Sequence, residues 1–144
     1  MYDKSNIKFF IPDTESTLKS ILISSGISAG FPSPAGDFKQ DRISLDKELI
    51  KNKEATFFAR VSGQSMVGAG LDNNDLLVID RSLEPTNNKI AVCLIDGEFT
   101  VKRLKVENDR IWLKPENLDY KPIEITEENQ FIIWGIVTNV IKKV

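Results

Sequence analysis

The stretch Ile90-Ala91-Val92-Cys93-Leu94-Ile95-Asp96-Gly97-Glu98-Phe99-Thr100-Val101-Lys102-Arg103-Leu104 decides the fold class. Two runs of β-forming residues flank an Asp-Gly pair, and a two-residue hairpin turn needs positive φ at both central positions, which Asp-Gly adopts at low cost. A β-hairpin follows. Outward from it the same pattern repeats: residues 56–61 closed by Ser62-Gly63, residues 75–80 between Asn73-Asn74 and Pro85, then residues 110–114, 122–126 and 131–141, with Glu107-Asn108-Asp109 as a polar turn. The expected fold is a mostly β domain, a barrel or sandwich.

The first 45 residues read differently. Asp13 is placed to cap a short amphipathic turn carrying Leu18, Ile21 and Leu22 at helical spacing, which Ser24-Ser25-Gly26 ends. Gly30-Phe31-Pro32-Ser33-Pro34-Ala35-Gly36 is barred from regular structure by its prolines and glycines. Ser44 then caps a helix through Leu45, Leu49 and Ile50. The expected organisation is a flexible N-terminal arm with short helical turns over residues 1–45 and a β-rich domain over 46–144. At 144 residues the chain has room for about one domain.

Composition removes several chemistries. With no histidine, the Ser-His-Asp triad, the Cys-His pair and the usual zinc sites are all excluded, and no cofactor or metal is expected. Cys93 is the one cysteine, so no intrachain disulfide forms and a reducing cytoplasm is permitted. Within its apolar run it reads as a small buried hydrophobe. Nineteen Lys and Arg against 21 Asp and Glu leave a net charge of −2, which argues against a dedicated or sequence-specific DNA binder. No run approaches the roughly 18 apolar residues of a membrane span, and the apolar stretch at residues 7–11 contains Lys8 and stops at Pro12. Cytoplasmic residence without membrane attachment is expected.

Two stretches are left to carry chemistry. Ser62-Gly63-Gln64-Ser65-Met66 follows a predicted strand and opens the small-residue segment Val67-Gly68-Ala69-Gly70. A serine there either exposes its hydroxyl beside backbone N–H groups that face an oxyanion, or simply caps a turn. In Glu98-Phe99-Thr100-Val101-Lys102-Arg103-Leu104, strand alternation puts Thr100, Lys102 and Leu104 on one face. Lys102 is then either an edge lysine whose charge snorkels to water or a desolvated amine able to act as a base. A Ser–Lys dyad is one of the few nucleophile–base pairs open to a chain without histidine. Trp112, Trp134 and the phenylalanines read as packing, since no basic residues interleave with them as in a single-strand nucleic-acid platform.

Together, Ser62-Gly63-Gln64-Ser65-Met66, Asp96-Gly97-Glu98-Phe99-Thr100-Val101-Lys102-Arg103-Leu104 and the upstream Gly30-Phe31-Pro32-Ser33-Pro34-Ala35 resemble the LexA/UmuD family of self-cleaving serine peptidases, most closely its UmuD branch. The resemblance runs from about Gly26 to the C-terminus. It implies Ser65 as nucleophile, Lys102 as general base and a scissile bond between Ala29 and Gly30, where many UmuD proteins carry Cys-Gly and LexA-type repressors Ala-Gly. Gln64 and Ser65 would supply oxyanion N–H groups, Met66 a cleft wall, and Ile27 an apolar subsite residue. It further implies an SOS-type DNA-damage-response protein, a homodimer activated by a RecA–single-stranded-DNA filament. Its trimmed form would serve a Y-family, UmuC-like translesion polymerase subunit. The alternatives are a non-catalytic β-domain interaction module, and a LexA- or phage-repressor-like regulator lacking its DNA-binding domain.

Overall fold

In a computed structural model of the chain, residues 7–13, 20–23, 40–62, 70–114 and 121–144 are described. Among them form β1 (Lys8–Phe10), β2 (Ser20–Ile23), β3 (Gln40–Ile43), β4 (Thr56–Arg60), β5 (Leu76–Asp80), β6 (Ile90–Ile95), β7 (Glu98–Glu107), β8 (Arg110–Lys114), β9 (Ile123–Ile125), β10 (Phe131–Ile141) and the helix α1 (Leu45–Leu49). The fold is mostly antiparallel β, as the strand pattern predicts.

Eight strands form one sheet in the order β1-β4-β5-β10-β6-β7-β8-β9. β6 lies between β10 and β7 and has core on both faces. Val92 joins a buried cluster with Ala59, Leu77, Ile79, Val101 and Val137, while Ala91 and Cys93 join a second with Leu104, Leu113 and Ile136. A strand buried on both sides has no polar face to alternate with, so it reads as an unbroken apolar run. The Asp96-Gly97 turn has φ of +48° and +83°, and the β7–β8 turn at Asn108-Asp109 has +50° and +61°, the positive values that tight hairpins require.

β10 carries the curvature. Its register shifts between Ile133 and Gly135 against β6, and between Val137 and Asn139 against β5. Bulges sharpen the local twist. At the first of them a Cβ on Gly135 would sit 2.5 Å from Cγ2 of Ile79, so only glycine allows the approach. The sheet coils until its edge strand β1 meets β7: the Phe9 ring lies 4.9 Å from Phe99 and 4.6 Å from Trp134.

Residues Asp13–Lys51 form a separate compact unit containing α1 and a two-stranded sheet in which β2 pairs antiparallel with β3. Ser44 caps α1 as expected, its Oγ accepting the Lys47 N–H at 3.5 Å. The helical turn expected around Leu18, Ile21 and Leu22 is corrected: Ser20–Ile23 is a strand, with Ile21 opposite Arg42 and Ile23 opposite Gln40. So few residues cannot repay the cost of helix nucleation, whereas a strand gains a partner some 20 residues away that local periodicity does not reveal.

Candidate active site

Lys102 lies near the middle of β7, directly opposite Ala91 of β6. Its face is the one the alternation predicts. Thr100 pairs with Cys93 and Lys102 with Ala91, and this face carries the cluster of Ala91, Cys93, Leu104, Leu113 and Ile136. Ala91, Cys93 and Leu104 are fully buried, and Lys102 is half-buried.

The electrostatics around Lys102 are sparse. Among the described residues no carboxylate forms an ion pair with it. Burial pushes the Cys93 thiol up to about 12, with the Lys102 charge pulling the other way. The thiol therefore stays protonated and uncharged near neutrality.

The other expected site residues lie outside the described residues: Gln64, Ser65 and Met66 within 63–69, and Ile27, Ala29 and Gly30 within 24–39. What is described is the frame at the two ends of 63–69. Val61 and Leu71 are both buried in the first core cluster. The Val61 N–H donates to the Asp75 carbonyl at 3.0 Å, and the Asn74 N–H donates to the Val61 carbonyl at 2.7 Å. The Arg60 guanidinium adds a bond to the Asn74 carbonyl at 3.0 Å.

The return end is clamped by charge. Asp75, buried, accepts the Asp72 N–H at 2.8 Å and a bond from Lys142 Nζ, which also donates to Asp72 Oδ2 at 2.8 Å. Burial alone would raise the Asp75 pKa. The Asp72 amide and the Lys142 ammonium outweigh it and hold the carboxyl below its ordinary value. Sequence reading missed this clamp. Asn73-Asn74 read as a turn, but nothing local connects Asp75 to a lysine 67 residues away.

Three relatives align over most of their own length. The chain is 42% identical over 114 residues to Protein MucA of Salmonella typhimurium, covering 78% of this chain and 77% of the relative. It is 42% identical over 122 residues to Protein ImpA of Shigella flexneri, covering 85% and 83%, and 44% identical over 115 residues to Protein SamA of Salmonella typhimurium strain LT2, covering 80% and 79%. Residues 21–138 match the family described as Peptidase S24-like, a span that takes in the expected scissile bond, the 63–69 segment and Lys102. The chain belongs to the S24-like peptidase family, on its UmuD branch.

Proposed function

We propose that the protein is an SOS-type DNA-damage-response protein that cuts its own chain between Ala29 and Gly30. Ser65 is the nucleophile and Lys102 the general base. The observation that carries this reading is the setting of Lys102 in a family of peptidases: a half-buried residue opposite Ala91, on the strand face that carries Cys93 and Leu104, with no carboxylate partner among the described residues.

The chemistry balances with two side chains. The neutral amine of Lys102 takes the Ser65 hydroxyl proton as Oγ attacks the Ala29 carbonyl carbon, and N–H groups of Ser65 and Gln64 hold the developing oxyanion. Collapse breaks the Ala29–Gly30 bond, and the ammonium of Lys102 gives its proton to the leaving Gly30 nitrogen. Water, deprotonated by the same amine, then attacks the ester carbonyl, and as the acyl–Oγ bond breaks the ammonium returns its proton to Ser65 Oγ. Glycine after the scissile carbonyl presents no Cβ to a narrow cleft, Ile27 fills an apolar subsite, and Met66 lines the wall.

On this reading the protein is a cytoplasmic homodimer, and a RecA–single-stranded-DNA filament promotes the cut by favouring the docked arm. Residues 30–144 then serve as accessory subunit to a Y-family, UmuC-like translesion polymerase. Among the described residues no helix is long and apolar enough to cross a membrane. The test is the mass of purified protein held at mildly alkaline pH. Fragments of 29 and 115 residues, the larger beginning Gly-Phe-Pro-Ser-Pro, are expected. A chain that stays whole, with and without the filament, is a non-catalytic interaction module instead.

A further inference from the structure

β1 precedes the proposed scissile bond in sequence, yet it is built into the domain that follows it. Lys8, Phe9 and Phe10 pair with Arg60, Ala59 and Phe58 of β4. β4's other edge is taken by β5, so among the described residues β1 alone covers its outer edge. Phe9 points inward, against the rings of Phe99 and Trp134, and Ile7 packs on the same cluster. Phe10 faces out, with the Lys8 ammonium 5.4 Å from its ring centroid.

We infer that cleavage unmasks a strand-acceptor site, the outer edge of β4 with the aromatic pocket of Phe99 and Trp134, which takes an extended segment of a partner protein bearing an aromatic side chain in place of Phe9. The inference rests on the proposed cut at Ala29–Gly30. In the intact chain β1 is tethered, at an effective concentration on the order of millimolar. Once cut, it competes as a free fragment at the protein's own concentration, a drop of about a thousandfold at micromolar protein. Among the described residues the fragment 1–29 is then held by the three paired residues and one inward ring of β1 and the four paired residues of β2 on β3, two short ladders to hold against that loss. An edge left with unpaired N–H and C=O groups beside an apolar pocket is a template for another strand, whose backbone gives affinity and whose inward side chain gives selectivity. The occupant's chemistry is read from the segment in place: extended backbone, no proline across the paired residues, and a large ring at the central inward position.

The probe is a labelled peptide of residues 5–12, Ser-Asn-Ile-Lys-Phe-Phe-Ile-Pro. It is titrated into uncut full-length Ser65→Ala, self-cleaved wild type freed of its small fragment by gel filtration, and full-length Ser65→Ala with Phe9→Ala, where β1 is weakened without any cut. Binding to the last two at least tenfold tighter than to the first is expected, with loss of at least tenfold when the peptide's own Phe9 position is alanine. Lys8→Pro replaces Phe9→Ala should that variant fail to fold, since proline weakens the pairing of β1 with β4 and leaves Phe9 in place. Equal binding to all three proteins, no binding to any, or a small fragment that co-elutes stoichiometrically at micromolar concentration overturns the inference. A wild type that never cuts sinks the self-cleavage reading, while the uncut arms still decide whether β1 covers an acceptor edge. Dimerisation of uncut Ser65→Ala that Phe9→Ala abolishes makes a second copy's β1 the occupant and overturns the partner assignment.

Discussion

Truncating Leu104 to alanine opens space on the Lys102 face without altering either proposed reacting group. Leu104 has no exposed surface, and its backbone is pinned at both ends, N–H to the Lys89 carbonyl at 2.8 Å and carbonyl from the Asn88 N–H at 2.9 Å. The strand cannot slide to close the void. Buried Leu→Ala changes cost about 2–5 kcal/mol, and poor relaxation favours the upper half of that range. At about 3 °C per kcal/mol for a chain near this size, thermal melting should fall by roughly 10 °C. Leu77→Ala is the matched control, equally buried but in the cluster on the other face. It should lose similar stability. The two should part in cleavage: only Leu104 shares the Lys102 face of β7, so only its loss loosens the packing that positions the proposed base. Self-cleavage at pH 8, followed by electrophoresis at a temperature where both variants stay folded, should be several-fold slower in Leu104→Ala than in Leu77→Ala. Equal rates would refute the link between this apolar face and the base, and a stability loss below about 1 kcal/mol would refute the packing on which it depends.

Four further outcomes are expected. Gly135→Ala forces a Cβ to within 2.5 Å of Ile79 and should destabilise the fold by about 1–3 kcal/mol in denaturant titration, where a neutral result would mean that the bulge relaxes freely. Lys142→Gln removes the counter-charge of Asp75. Because the folded pKa of Asp75 is lowered, the pair stabilises above the unfolded value near 3.8 and is lost as pH falls through the folded one, so the melting difference from wild type should be largest near neutrality and shrink below about pH 4. Ser65→Ala, Lys102→Ala and Lys102→Arg should each stop self-cleavage while melting like wild type, arginine included because a guanidinium does not deprotonate in proteins. Cleavage of the wild type should quicken as pH rises above 7 and then level off. A steady fall between pH 7 and 9 in folded protein would contradict a lysine base.

What the sequence made legible was what short range decides. Asp96-Gly97 and Asn108-Asp109 announce their turns because few other residue pairs take positive φ twice, and the parity of β7 follows at once, placing Thr100, Lys102 and Leu104 together. β1 and β2 were not legible. Each is only three or four residues long and exists as a strand because of a distant partner, β4 about 50 residues on for the first and β3 about 20 on for the second. The same limit hid the clamp on Asp75. Of the expected site, Lys102 is where its face was predicted, while Ser65, Gln64, Met66, Ile27, Ala29 and Gly30 lie outside the described residues.

One strand connects what is described on the two sides of the proposed dyad. Ile136 of β10 pairs with Ala91 of β6, and Ala91 with Lys102 of β7, so the three form a row across the sheet on the face that carries Lys102. Ile136 also pairs with Asp80, and from there β10 runs along β5 to Ile141, one residue before Lys142. Lys142 clamps Asp72 and Asp75, and the Asp75 carbonyl receives the Val61 N–H at the entrance to residues 63–69. The setting of the proposed base and the frame of residues 63–69 thus share a single backbone, paired on both sides and able to shift only by breaking ladder bonds with β5 and β6. A change that slips β10 should therefore disturb both at once. Gly135→Ala, at the bulge between the two halves of the strand, is such a change: its effect on self-cleavage should exceed that of Leu77→Ala at equal loss of stability, because Leu77 packs on the sheet without setting its register.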